Sequence, residues 1–142
     1  MKMDKKFKIL TEFVKDLSCE TPDVETYLYV KEYLKNYNLN IDITSKPLKN
    51  RMIEVNTKLS YADKTKSKNK SYFEITYVSI VRISDEIKDR KVIEKIILCD
   101  VQKEIYNNLE KTFVNLLSIS GFPGIKFEKK IDFEQLYNQR LN

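Results

Sequence analysis

The chain has 142 residues, two glycines, three prolines and a net charge of +5, which suits one domain over residues 1–142 with no glycine-rich linker. It contains no histidine, so it lacks the commonest general base and the commonest metal ligand, and two glycines cannot build a phosphate-binding loop. These features disfavour an enzyme, a bound metal and a nucleotide cofactor.

The N-terminal residues, the lack of a long apolar stretch and the cysteines predict a cytoplasmic protein. Residues 1–8 are basic, as at the start of a signal peptide, but polar residues break the apolar run that should follow: Thr11, Glu12, Lys15 and Asp16. No apolar stretch approaches the ~20 residues that span a bilayer. Cys19 and Cys99 give neither a disulfide framework nor metal-ligand spacing.

The first predicted strand covers residues 7–17. Strict alternation places six residues on one face: Phe7, Ile9, Thr11, Phe13, Lys15 and Leu17. Leu10 and Val14 then lie on the opposite face. The tyrosine-rich segment that follows, residues 21–38, predicts a short helix.

Three further strands are predicted over residues 39–44, 53–61 and 72–83. The last two flank a segment, residues 62–71, in which lysines alternate with small polar residues: Lys64, Lys66, Lys68 and Lys70. This spacing predicts a long hairpin with a solvated tip, or else a contact patch for an acidic partner.

Beyond Asp85 the apolar period changes to that of a helix. Residues four apart form one stripe: Ile93, Ile97, Val101, Ile105, Leu109, Phe113 and Leu117. Gly121 and Pro123 predict the end of this long helix near Ser120. A second, short helix is expected from Asp132, because Asp132 and Gln135 fit a capping box.

Strands followed by helices predict an α+β fold, with a long and a short C-terminal helix packed on a four-stranded antiparallel sheet. Apolar residues on both faces of the first and fourth strands exceed what one small domain can bury, which predicts an oligomer or an exposed apolar binding surface. The helical residues expected at the oligomer interface are Ile105, Leu109, Phe113 and Leu116.

Two motifs resemble the SecB family of export chaperones. Residues 14–22 read Val-Lys-Asp-Leu-Ser-Cys-Glu-Thr-Pro, and the C-terminal part carries Gly-Phe-Pro at 121–123 and Ile-Asp-Phe-Glu-Gln-Leu-Tyr at 131–137. The resemblance implies a dimer of dimers that binds unfolded preproteins and delivers them to the motor SecA without a cofactor. It places the motor contact on acidic residues of the outer sheet face, at Asp16, Glu20 and Glu74. The chain departs from the family in its basic charge.

A holding chaperone needs adaptable apolar contacts beside an open strand edge. The predicted lining of the client groove is aromatic: Tyr27, Tyr29, Tyr33, Phe122 and Phe127. A cover for the protein's own core is the other interpretation of these side chains.

Two alternatives to an export chaperone remain open. One is a SecB-like chaperone of a toxin–antitoxin system with an antitoxin as its client. The other is a nucleic-acid-binding module, suggested by the basic charge and the tyrosines. Tyr72 and Tyr77 are expected on opposite faces of their strand, which disfavours a shared stacking platform, so nucleic acid is not the expected partner.

Overall fold

The computed structural model describes residues 6–65, 70–127 and 130–140. Four antiparallel strands form one sheet in the spatial order β1-β4-β3-β2. Their bounds are β1 Phe7–Glu20, β2 Tyr37–Pro47, β3 Met52–Asp63 and β4 Tyr72–Ile83. β1 and β2 are therefore the two edge strands. The predicted α+β fold is confirmed.

The helices are α1 Val24–Glu32, α2 Arg90–Lys95, α3 Val101–Ile119 and α4 Phe133–Arg140. A 3-10 turn, Leu34–Asn36, links α1 to β2, and a π turn, Ile96–Asp100, joins α2 to α3. Because Ile96 and Val101 both have helical dihedral angles, α2, the π turn and α3 form one continuous helical path. It ends beside Gly121, as predicted. Asp132 caps α4, where its Oδ1 accepts a hydrogen bond from the Gln135 amide at 3.1 Å.

The π turn explains how a stripe that repeats every four residues stays on one side of the helix. An α-helix has about 3.6 residues per turn, so such a stripe drifts by about 40° with each repeat. A π turn is one residue wider and offsets part of that drift. Four consecutive residues of the turn, from Ile96 to Cys99, are buried, and the turn packs against α4.

The core lies between the inner face of the sheet and the long helix. Val55, Leu59, Phe73 and Ile75, from β3 and β4, are fully buried there. One polar pair crosses the core: Gln102 Nε2 donates to Thr57 Oγ1 at 2.9 Å, and neither residue is exposed to solvent. This pair fixes the position of α3 along the strands.

Two irregularities in β1 correct the predicted faces of that strand. The register against β4 shifts between Ile9 and Thr11 and again between Val14 and Asp16. Directly opposed residues share a face, so each extra residue reverses the alternation. Residues on the helix-covered face are Phe7, Ile9, Glu12, Val14, Leu17 and Cys19, whereas Thr11 and Phe13 lie on the outer face.

The expected oligomer interface on the long helix is wrong for three of its four residues. Ile105, Leu109 and Phe113 are each 0% exposed within a single protomer. They pack against the protomer's own sheet, so no second copy can contact them without unfolding the chain. Leu116 is partly buried against the same core.

The segment predicted as a short helix folds as α1 and is attached to the end of α3. The Tyr27 hydroxyl donates to the Gly121 carbonyl at 2.6 Å. Gly121 has φ +105°, and a Cβ there would lie 2.6 Å from the Tyr27 ring, so glycine is required. Of the lysine-rich hairpin, Lys66 and Lys68 lie outside the described residues.

Candidate functional site

A groove runs along the free edge of β2. Its volume is about 580 Å³, and it is lined by β2, the start of α4 and the described residues 126, 127, 130 and 131 that precede α4. The apolar and aromatic lining residues are Tyr37, Leu39, Ile41, Tyr61, Phe127, Ile131 and Leu136. All but the two tyrosines are half-buried, so they are packed on one side and open to solvent on the other. The groove can therefore take a chain against an apolar floor.

The backbone of β2 offers hydrogen-bonding groups to this groove. Arg140 Nη2 donates to the Ile43 carbonyl at 3.2 Å, so that carbonyl points away from β3. In an antiparallel strand the amide and carbonyl of alternate residues point to the same side. The amides and carbonyls of Leu39 and Ile41 therefore also point to the free edge. The sheet supplies them with no partner, because β2 is its last strand.

The groove continues into a smaller hollow of about 190 Å³ beside α4. Ile41, Leu136 and Gln139 line both spaces, and Leu98 of the π turn forms part of the hollow. The extended site therefore follows β2 from Tyr37 to Ile43. This is about 20 Å of strand at roughly 3.3 Å per residue.

Aromatic rings join the floor of the groove to the core. The Tyr61 ring lies 5.4 Å from that of Phe127 and 5.2 Å from that of Tyr37, measured between centroids. Burial raises the pKa of both tyrosines above its usual value, so they stay uncharged at neutral pH. The floor is apolar and fixed by packing, whereas the rim is open.

The structure separates the aromatic residues predicted to line the client groove. Phe127 lines it, but Phe122 is 2% exposed and packs 5.5 Å from Phe73 in the core. That burial contradicts a lining role for Phe122. Tyr27 packs 5.1 Å from the Phe122 ring, so it belongs to the interface between α1 and α3. Tyr29 and Tyr33 pair with each other at 4.5 Å on α1 and do not line the groove along β2.

Sequence reasoning did not select Leu39 and Ile41. Their alternation with Asn40 and Asp42 identified the strand and its apolar face. It could not identify an edge strand, because the order of strands depends on pairing between distant segments. The exposed polar residues on the other face of β2 were the available signal.

The three predicted acidic residues lie together on the outer face of the sheet. Glu74 opposes Ser18, so Asp16 and Glu20 are its diagonal neighbours on β1, typically about 7–8 Å apart in such a ladder. Lys58 lies 3.3 Å from the Glu74 carboxylate, which partly compensates its charge. Tyr72 also donates to Glu74, and this hydrogen bond raises the pKa of Tyr72 to about 12.

β1 presents a second apolar surface. Leu10 and Phe13 are 44% and 47% exposed, and on the helix side Val14 and Leu17 are 40% and 49% exposed. All four are on an edge strand of 14 residues. A long apolar edge strand that is unpaired tends to associate with another chain, because its backbone groups are open to pairing.

Within the described ranges, 6–65, 70–127 and 130–140, no helix is long and apolar enough to cross a membrane. Nor do three or more Cys, Asp or Glu side chains there come together as metal ligands.

Comparisons with known proteins agree with one another. The sequence model of the family described as "SecB: Preprotein translocase subunit SecB" matches residues 1–142. A putative protein-export protein SecB of Pelagibacter ubique is 54% identical over 140 residues, covering 99% of this chain and all of that protein. A protein-export protein SecB of Parvibaculum lavamentivorans is 26% identical over 133 residues, covering 94% of this chain and 77% of that protein.

A solved structure has the same fold at low sequence identity. It is a SecB-like chaperone of Mycobacterium tuberculosis in complex with a peptide from an antitoxin. The TM-score is 0.63 at 7% identity, with 88% of this chain and 91% of that chain covered.

Proposed function

The chain belongs to the SecB family of protein-export chaperones, and we propose that it holds unfolded preproteins in the groove along β2. The observation that carries this proposal is the free edge of β2 above an apolar floor. An extended client segment pairs with the outward amides and carbonyls of Leu39 and Ile41, while its alternate side chains enter the groove. Backbone pairing does not depend on client sequence, which suits a chaperone with many clients.

The lining of the same groove favours a binding protein over an enzyme. This lining is apolar, apart from amides, lysines and the capping Asp132. No nucleophile is paired with a base among these lining residues. We therefore propose a non-enzymatic holding activity in the cytoplasm, with no cofactor.

A related fold supports a peptide as the ligand, because the M. tuberculosis chaperone was solved with a peptide from an antitoxin. An antitoxin as the dedicated client is the second candidate function. The 54% identity to a putative protein-export SecB favours preproteins. Capture of clients from cytosol with identification by mass spectrometry separates the two: many preproteins support export, and one antitoxin supports the alternative.

Suppression of aggregation of an unfolded preprotein tests the groove. The variant Leu39→Ser/Ile41→Ser removes apolar floor while the fold is kept. The matched control Val24→Ser/Ile119→Ser removes apolar side chains that are 74% and 76% exposed elsewhere. We expect the groove variant to lose suppression at a temperature where it is still folded, although its melting temperature falls because both side chains are half-buried, and we expect the control to retain suppression. Full suppression by a folded groove variant would contradict the proposal.

We further propose that the outer-face acidic residues Asp16, Glu20 and Glu74 bind a basic segment of SecA. Their grouping around Glu74 supports a single anionic contact area on the face of the sheet opposite the long helix. Asp16→Asn/Glu20→Gln should weaken binding to purified SecA and leave client holding unchanged. Equal losses from Glu94→Gln/Glu104→Gln on the helices would contradict this placement.

We propose that two copies associate through β1. Leu10, Phe13, Val14 and Leu17 supply apolar area on both faces of an edge strand that is free in the protomer. Phe13→Asp/Leu17→Asp should yield monomers in light scattering at micromolar concentration. The exposed side of α3 carries Asn107, Asn108 and Asn115, so it is a polar surface for any assembly of dimers.

A further inference from the structure

The rim of the groove is positively charged. Lys64 stands at the end of the groove next to Tyr37, and Lys126 and Lys130 stand on the opposite wall. All three side chains are exposed. Among the lining residues that the structure describes, Asp132 is the one carboxylate, and its Oδ1 accepts a hydrogen bond from the Gln135 amide in the cap of α4. The lining therefore has an excess of positive charge.

The protein does not neutralise these lysines within the part of the chain that the structure describes. Other lysines there have carboxylate partners, for example Lys58 with Glu74 at 3.3 Å and Lys103 with Glu134 at 2.8 Å. Lys64, Lys126 and Lys130 take part in none of these ion pairs. They are exposed at the edge of apolar surface, so a client carboxylate can reach them and salt screens the interaction.

A fourth positive group marks the far end of the site. Arg140 lies where β2 reaches Ile43 and uses Nη2 to bind the Ile43 carbonyl. A guanidinium has five N–H donors, so others remain for a ligand. The distance from Tyr37 to Ile43 is about 20 Å along an extended strand. Positive charge therefore stands at both ends of a strand-length apolar site.

We propose that this groove selects extended client segments in which about six mainly apolar residues, a length set by the strand spacing, lie between acidic residues. The inference rests on the proposed client-binding function and adds the charge of the client to it. Carboxylates at the two ends of the segment meet Lys64 and Arg140, and carboxylates along it meet Lys126 and Lys130. Basic flanks meet like charges at the same places and are rejected.

Three synthetic peptides with one apolar core of six residues test this selectivity. Their flanks are glutamate, glutamine or lysine, and binding to the full-length protein is followed by fluorescence anisotropy. Individual exposed ion pairs are weak, so we expect the glutamate peptide to bind about tenfold more tightly than the lysine peptide at low salt. The difference should shrink at high salt, because rim charges are screened.

Charge-neutralising variants assign the effect to the rim. The rim variant is Lys64→Gln/Lys126→Gln/Lys130→Gln, and its control of equal net charge is Lys49→Gln/Lys88→Gln/Lys91→Gln. The rim variant removes Lys64 at one flank and keeps Arg140 at the other, so we expect it to reduce the preference and the control to keep it. Equal loss in both variants would assign the preference to net charge and overturn the inference.

The outcomes for the two proposals are distinguishable. Tight and equal binding of all three peptides overturns the charge selectivity and leaves the client groove standing. Tighter binding of the lysine peptide also overturns it. Binding of none of the three peptides contradicts the client groove itself.

Discussion

Replacing Ile41 by proline tests backbone pairing at the edge of β2. The alternation fixed by the Arg140 contact directs the Ile41 amide away from the sheet and the neighbouring Asp42 amide toward Lys58 of β3. Ile41→Pro therefore removes a donor that the protomer does not use. Asp42→Pro removes a ladder hydrogen bond and leaves its partner on β3 unpaired, which should lower the free energy of unfolding by about 1–3 kcal/mol.

The effect of Ile41→Pro on client binding follows from one lost hydrogen bond. One hydrogen bond contributes a net free energy of about 0.5–1.5 kcal/mol, so its loss corresponds to roughly twofold to twelvefold weaker affinity for the client. Ile41→Ala supplies the control for the lost side chain. Affinity for a labelled unfolded peptide is measured by anisotropy, and stability by thermal unfolding. Binding by Ile41→Pro that equals binding by Ile41→Ala would refute backbone pairing at this edge.

Three further predictions concern the framework that holds the groove. Gly121→Ala should lower the melting temperature more than Gly124→Ala, because both have positive φ but a Cβ at Gly121 would lie 2.6 Å from a tyrosine ring and one at Gly124 meets no atom within 4 Å. Each of the single variants Thr57→Val and Gln102→Leu should lower the free energy of unfolding by about 1–3 kcal/mol, because each leaves a buried polar partner unpaired. In denaturant unfolding, the double variant should lose less than the sum of the two single losses. Burial, aided by a hydrogen bond to Glu12, raises the pKa of Tyr77 from 10.0 to about 12. The protonated hydroxyl therefore contributes fully to the stability of the folded state below pH 10, and this contribution is lost as the pH rises towards 12. Tyr77→Phe should flatten the fall in melting temperature between pH 10 and pH 12.

Local periodicity predicted most of the elements. The alternation from Ile53 to Tyr61 identified β3 and its buried face, since β3 pairs regularly on both sides. The same rule gave the wrong faces for residues 11–14 of β1, because the first register shift reverses the alternation and the second restores it. The shifts could not be predicted from the sequence of β1 alone, because they are defined by how β1 pairs with β4.

Burial partners were harder to predict than burial itself. The stripe with Ile105, Leu109 and Phe113 is apolar as expected, but the sheet of the same protomer covers it. An apolar stripe predicts that one face of a helix is covered, but it does not identify the surface that covers it. The same difficulty applies to Phe122 and Phe127, which are five residues apart: one packs in the core and the other lines the groove.

Motifs located the family more directly than the site. Residues 14–22 and 121–137 supported the resemblance, and the family match over residues 1–142 confirms it. The groove depends on strand order and on where α4 packs, and neither follows from those motifs. Its basic rim was indicated by the net charge of +5 and, at Lys64, by the lysine-rich segment 62–71.

Amide hydrogen exchange, read residue by residue with and without a bound unfolded preprotein, tests the central claim most directly. Leu39 and Ile41 have outward amides at the free edge of β2, so they should exchange quickly in the free protein. We predict that client binding slows exchange at these two amides, in step with the fraction of protein that holds client. Saturation with client while both amides exchange at their free rate would contradict a client strand paired to β2.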